Sequence, residues 1–362
     1  MFSPRVLSIQ SHIVSGYCGN KAATFPLQLL GFDVDVMNTV SFSNHTGYPS
    51  WTGEKATGEQ LTKLFEGLEA NGLVEYTHIL TAYSNLINCY IGSAQNLTAV
   101  TEIISQLKAQ SNPFFDPVMG DNGQLYVQPD VIPIYRELMK FASAITPNQF
   151  EAEVLADKKI TDVKSCLEVI EILHNTGVEY VVLTSVALSP RDIAEHTARS
   201  SATNGYHNGS QESGQTGDDS MLYCICSSKV DQELKVHAIS FPTYDGYFTG
   251  TGDLFSALLV ARLDEAIHEE AQTKLRASHA NDHKVEKQLG PLAEACVKVV
   301  ATMKAVVLRT YQAQKGATAA VLDRTQASSS AVIKRCELRL IQSKADIEHP
   351  DKAGVAAVAL RV

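Results

Sequence analysis

The chain has 362 residues, 44% of them hydrophobic, enough apolar surface for one large α/β domain or two smaller ones. Its formal charge of −10, with no dense Lys/Arg run, argues against a nucleic-acid surface. No apolar run reaches bilayer length, the first residues lead into a strand-like run without a signal-peptide core, and seven scattered cysteines favour reduced thiols in a cytoplasmic protein over a disulfide framework.

Residues 6–9 open as a strand. The polar turn Gln10-Ser11-His12 and the glycines Gly16 and Gly19 lead into a helix over 21–30 that stops at Gly31. Strands are predicted at 32–36, 77–81, 113–115, 144–146 and 180–184, separated by helical segments near 59–70, 95–110, 130–140 and 162–176. That alternation predicts an α/β fold, a sheet with helices on both faces. The strands end in short polar clusters: Gln10-Ser11-His12, Tyr83-Ser84, Asp116, Thr146-Pro147-Asn148 and Thr184-Ser185. Ligands of open α/β sheets bind beyond the carboxyl ends of the strands, so these clusters belong to one rim. Residues 189–220 are polar and glycine-rich and read as a flexible surface insertion. Residues 221–226 alternate as a strand, which accounts for Cys224-Ile225-Cys226 without a metal. The charged stretch 264–290 reads as a peripheral loop or helix. After the small, polar 317–331, residues 337–341 look like a final ordered element. The predicted organisation is a single domain over 1–345 with a C-terminal tail, 346–362.

Gly250-Thr251-Gly252-Asp253 carries the most chemistry. Two glycines let the backbone approach phosphate oxygens, and the N–H groups and positive dipole end of the apolar helix predicted over 254–260 supply anion stabilisation. Asp253 is then placed to take a proton from a hydroxyl attacking that phosphate. An aspartate in the first turn after a glycine is also ordinary helix-start chemistry, and the four residues alone leave both readings open. No G-x-x-x-x-G-K-[ST] segment is present, and Phe255 stands where a dinucleotide fingerprint wants a small residue.

Asp116-Pro117-Val118-Met119-Gly120-Asp121 puts two carboxylates just past a predicted strand, which suits a metal–ATP site because magnesium asks only one or two carboxylates of a protein; a proline turn with solvated acids is the alternative. Asn148 with Glu151 fits a capping box, while the same residues stand on the rim where a phosphate oxygen and metal-bound water would lie. Near the N-terminus, Ser11, His12 and Asn44-His45-Thr46-Gly47-Tyr48 offer polar groups to a ring-containing substrate, with Phe42, Trp51 and Tyr83 as walls.

Four segments together resemble the pyridoxal kinases of the ribokinase-like superfamily: Ser8-Ile9-Gln10-Ser11-His12, Phe42-Ser43-Asn44-His45-Thr46-Gly47-Tyr48, residues 145–153, and Gly250-Thr251-Gly252-Asp253-Leu254-Phe255. The similarity runs over about 5–188 and 221–263, and residues 337–344 look like the C-terminal segment of eukaryotic members. The resemblance implies a three-layer α/β/α fold with a mostly parallel sheet, and ATP-dependent phosphorylation of the 5′-hydroxymethyl group of pyridoxal, pyridoxine and pyridoxamine in vitamin B6 salvage. It implies Asp253 as base and Gly250, Thr251 and Gly252 as anion hole. Ser11, Thr46 and Tyr83 would meet the ring, and Asp116, Asn148, Thr184, Ser185 and Thr251 the ATP phosphates. Asp121 and Glu151 would hold magnesium, or another divalent metal such as zinc, mostly through water, and Asp116, Thr146 and Thr184 would surround a potassium ion. A homodimer is also implied. Ala82 stands where relatives often carry glycine, and residues 241–249 match only loosely. A hydroxymethylpyrimidine kinase, or a non-catalytic B6-binding protein of the same fold, are the competing readings.

Overall fold

A computed structural model describes residues 3–82, 94–121, 123–125, 127–197, 221–230, 232–280, 289–314 and 330–362. Among them, the strands are β1 Arg5–Ile13, β2 Asp33–Phe42, β3 Gly53–Lys55, β4 His78–Ala82, β5 Asn112–Asp116, β6 Gly120–Asp121, β7 Gln124–Leu125, β8 Ala144–Ile145, β9 Tyr180–Leu188, β10 Met221–Val230, β11 Glu233–Phe241 and β12 Ala357–Leu360. The α-helices are α1 Asn20–Leu29, α2 Gly58–Ala70, α3 Ala94–Leu107, α4 Ile132–Met139, α5 Gln149–Ala156, α6 Val163–His174, α7 Pro190–His196, α8 Thr251–Ala280, α9 Pro291–Gln314, α10 Ser330–Arg335 and α11 Lys344–Glu348.

Ten strands form one sheet in the order β12-β11-β10-β9-β8-β5-β4-β1-β2-β3. The central strands β2, β1, β4, β5, β8 and β9 run parallel, and the edges are antiparallel. Parallel strands need both faces covered, and β1 accordingly buries side chains on both. Leu7, Ile9 and Ile79 face a core formed with α2 to α6, while Val6, Leu80 and Phe114 face a second core built on α1, α8 and α9. This is the three-layer α/β/α arrangement.

Local chemistry sets the helix starts. Thr57 with Gln60, Asn148 with Glu151, and Asp162 with Ser165 each close a capping box, satisfying N–H groups a helix cannot pair internally. Gly31, at φ +90°, ends α1 in the left-handed region.

Several elements differ from the sequence reading. Residues 190–196, read as part of a flexible insertion, form α7, capped by Ser189, with Ile193 buried and Asp192 accepting a hydrogen bond from the Val163 N–H at 2.6 Å; residues 198–220 lie outside the described residues. For 264–290, read as a peripheral loop or helix, the structure shows helix up to residue 280; what differs is that it continues α8 without a break, with Asp264 facing His78 and Glu265 facing Lys298. Residues 346–362, read as a tail, complete α11 and supply β12, which pairs antiparallel with β11 and closes one sheet edge. Residues 337–340 are neither helix nor strand, yet Leu338 and Leu340 are buried in the second core.

Candidate active site

The parallel strands β1, β4, β5 and β8 end on one side of the sheet, and the N-terminus of α8 points into the same rim. Gly250 turns the chain there at φ +82°, and a Cβ on it would stand 2.0 Å from the Tyr17 carbonyl oxygen, so only glycine fits. Thr251 and Gly252 open the first turn of α8, and Asp253 follows, half-buried.

The Gly19 N–H donates to Asp253 Oδ2 at 2.7 Å, tying the start of α8 to the loop after β1. Gly19 has φ +55°, and its missing side chain lets the loop lie against Ser11, whose carbonyl oxygen would be 2.0 Å from a Cβ. Ser11, at a register shift in the β1–β2 pairing, is therefore adjacent to the amide that holds Asp253. Burial pushes the Asp253 carboxyl above its ordinary 3.8, and the Gly19 bond pulls it partly back.

Asp116 ends β5, 3% exposed. Its Oδ2 accepts from Ser256 Oγ at 3.1 Å, and Ser256 Oγ lies 2.9 Å from Thr146 Oγ1. Burial and the charge of Asp253 push Asp116 up to about 8, against the pull of the two hydroxyls. Gly252 leaves this carboxylate open, since a Cβ there would sit 3.4 Å from Oδ2.

Asn148 and Glu151 do form the capping box. Asn148 Nδ2 also donates to the Gly120 carbonyl at 2.8 Å, and Glu151 receives N–H bonds from Met119 at 2.8 Å, Gly120 at 3.3 Å and Asn148 at 2.9 Å. Burial, then the charge of Asp116, raises Glu151 despite these bonds. The box thus fastens the 118–121 loop, which carries the exposed Asp121, to α5.

Asp121, Thr184, Ser185, Thr251 and Gly252 line one end of a cavity of about 420 Å³. The rest of its lining is mixed: Leu222, Phe241, Pro242, Phe255 and, on α9, Val300, Met303 and Val307 are apolar, while Thr243, Tyr244, Tyr247 and Lys304 add polar groups and a charge. A cavity that combines a helix N-terminus with apolar and aromatic side chains suits a nucleotide, with its phosphates toward the helix start.

Ile13, Cys18, Val40 and Phe42 form a small apolar cluster against Trp51, apart from the two main cores. Half-buried Thr46 stands in the neighbouring 44–48 loop. His12 is held below its ordinary 6.5 by burial and by Lys21. Tyr83 lies outside the described residues. The start of α8 thus meets Ser11 by way of Gly19, Asp116 and Thr146 by way of Ser256, and Asp121, Thr184 and Ser185 in the cavity, while Asn148 and Glu151 hold the 118–121 loop and Thr46 stands in the 44–48 loop. Gly19, Ser256 and the α9 wall had no assigned part in the sequence reading; Gly19 carried the only visible signal, a glycine before a helix.

The model of the family described as phosphomethylpyrimidine kinase matches residues 89–293. Across nearly the whole chain, the pyridoxal kinase of Bos taurus is 39% identical over 357 residues, 96% of each protein, and that of Arabidopsis thaliana 38% over 353 residues, 96% of this chain and 92% of the relative. The chain belongs to the pyridoxal kinase family. The structure of the Leishmania donovani pyridoxal kinase in complex with ADP and pyridoxamine superposes with a TM-score of 0.72 at 30% identity, covering 99% of both chains. The Trypanosoma brucei pyridoxal kinase follows at a TM-score of 0.68 and 26% identity.

Proposed function

We propose that this pyridoxal kinase family member transfers the γ-phosphoryl group of ATP to the 5′-hydroxymethyl group of pyridoxal, pyridoxine and pyridoxamine, producing 5′-phosphates and ADP in vitamin B6 salvage. The observation that carries the reading is Asp253 at the start of α8, held by the Gly19 N–H and next in the chain to Thr251 and Gly252, which line the cavity. In this reading the vitamer ring lies in the apolar cluster against Trp51, with Ser11 and Thr46 on its polar substituents and Tyr83 near its face. ATP fills the cavity with its phosphates toward Thr251, Gly252, Asn148, Thr184 and Ser185. The 5′-oxygen attacks the γ-phosphorus, the bond to the β-phosphate oxygen breaks, ADP leaves, and the hydroxyl proton passes to Asp253. The amides of Gly250 to Gly252 face the charge on the transferred group.

The donor set supports a cation. Burial is the larger cause of the raised proton affinities of Asp116 and Glu151, and the second is negative charge, Asp253 acting on Asp116 and Asp116 on Glu151, which a cation would relieve. Among the described residues no three His, Cys, Asp or Glu side chains converge on one point. Magnesium, or another divalent metal such as zinc, is proposed to be held mostly through water by Asp121 and Glu151. When bound, such an ion neutralises phosphate charge. Asp116, Thr146 and Thr184 are the proposed surroundings of potassium. The active species is proposed to be a homodimer in the cytoplasm, a reducing compartment in keeping with six described cysteines that are free.

The test is purified protein with ATP and magnesium, offered pyridoxal and hydroxymethylpyrimidine in parallel, with pyridoxal phosphate read by its absorbance. Turnover of pyridoxal supports the proposal. Turnover of the pyrimidine alone, or of neither, overturns it.

A further inference from the structure

Beside the ring-binding cluster lies a carboxylate with no part in the chemistry above. Glu337 is 8% exposed. Its Oε2 accepts the Tyr17 N–H at 3.0 Å, its Oε1 accepts the Tyr48 hydroxyl at 3.1 Å, and His45 Nε2 lies 3.4 Å from Oε1. His45 Nδ1 accepts the Gly47 N–H at 3.1 Å, which leaves the ring proton on Nε2, facing Glu337. The carboxylate also presses on the backbone of Gly16, where a Cβ would stand 2.4 Å from Oε1 and φ is +102°. One side chain thus gathers the loop after β1 and the loop after β2 from behind.

Those two loops are the ones the proposed function uses. Tyr17 is two residues before Gly19, whose amide holds Asp253, and Thr46 stands between His45 and Gly47. Glu337 itself is mounted rigidly: Leu338 and Leu340 are buried in the second core, and the Arg339 N–H donates to Thr310 Oγ1 on α9 at 3.1 Å. A buried carboxylate sharing two loops costs desolvation that only its hydrogen bonds offset, an arrangement suited to fixing geometry rather than adding stability.

We infer that Glu337 is a positioning residue for the vitamer end of the site, clamping the 14–19 and 44–48 loops so that Ser11, Thr46 and the Gly19–Asp253 bond meet the substrate in register. The inference rests on the proposed function for its kinetic part only. Glu337→Gln keeps a side-chain acceptor for Tyr17 and removes the charge, and Tyr48→Phe removes a single bond from the same clamp. Each variant is expected to raise the pyridoxal KM by about tenfold or more while leaving the ATP KM within about twofold, with Glu337→Gln the more severe. The double variant should show a loss smaller than the product of the two single losses, because both break one interaction. Equal shifts in both KM values, or an unchanged pyridoxal KM, overturn the assignment. Hydrogen–deuterium exchange separates this from the substrate question: amides 14–19 and 44–48 should exchange faster in Glu337→Gln while those of α9 and β9 do not change. Unchanged exchange in both loops overturns the clamp whatever substrate the enzyme uses.

Discussion

At the scale of single residues, Asp253 carries the sharpest expectation. Asp253→Asn preserves the shape of the side chain and the acceptor for Gly19, so fold and ATP affinity should survive while kcat falls by on the order of 10²–10⁴-fold, the usual share of a general base. A folded variant with near-normal turnover would remove Asp253 from that role. The base works only when deprotonated, and its carboxyl is raised by burial, so kcat should fall with decreasing pH along a limb that lies above the ordinary 3.8. Asp253→Asn should erase that limb from the residual rate. Gly250→Ala is the complementary steric test. Its φ of +82° and the 2.0 Å approach to the Tyr17 carbonyl leave no room for a methyl group, and the strained conformation alone costs about 1–3 kcal/mol. A lowered melting temperature with turnover largely lost is expected; normal stability would mean the turn relaxes freely. The pairing of glycines with an aspartate was readable in the sequence because its chemistry is local. Ser256 was not, because a serine inside an apolar helix has no distinguishing spacing, and only folding puts it against Asp116 on β5.

The helices and strands show the same divide between local and distant information. One capped helix start was legible, Asn148 and Glu151 forming the box their spacing predicted, whereas the Ser189 cap of α7 was missed in a polar stretch. Helix α9 had no assignment in the sequence reading, because it is buried on nearly every side between α8 and the sheet and shows no clean apolar stripe. Sheet packing sets an acid limit on stability. His174 at the end of α6 is buried, donating from Nδ1 to the Val178 carbonyl at 2.8 Å while Nε2 lies 2.8 Å from Ser227 Oγ on β10. Burial, the larger cause, holds its pKa below the ordinary 6.5. The unfolded chain therefore takes up a proton below pH 6.5 that the folded chain refuses. The contribution is complete above that pH and is lost as pH falls through the depressed folded value. Melting temperature should drop across this window in wild type, and less steeply in His174→Gln. An identical slope in both would place the acid sensitivity elsewhere, His78 being the next buried imidazole with a lowered pKa.

For the molecule as a whole, the proposed site has two ends that respond to different ligands. Neutralising Asp121 or Glu151 should raise the magnesium concentration needed for half-maximal rate more than the pyridoxal KM, whereas Ser11→Ala and Thr46→Ala should do the reverse. Separate titrations of the four variants check this, and parallel shifts in both curves would mean the ends are not separable. The overall layering was legible from the alternation of strands and helices. The closing of the sheet by β12 was not, since a four-residue run of small and apolar residues carries no signal of its partner until β11 is beside it. Glu337 was hidden for the same reason on a larger scale, its partners Tyr48 and Tyr17 lying 289 and 320 positions away in the chain. That separation has a consequence in time. A protein leaves the ribosome N-terminus first, so Ser11, Gly19, Thr46 and Asp253 are all synthesised before the carboxylate that clamps two of their loops. On the proposed reading, a nascent chain halted near residue 330 would carry the residues assigned to the reaction but not the carboxylate proposed to clamp the 14–19 and 44–48 loops. If Glu337 acts as proposed, the ring end of the site is the part of the molecule that waits longest for its support.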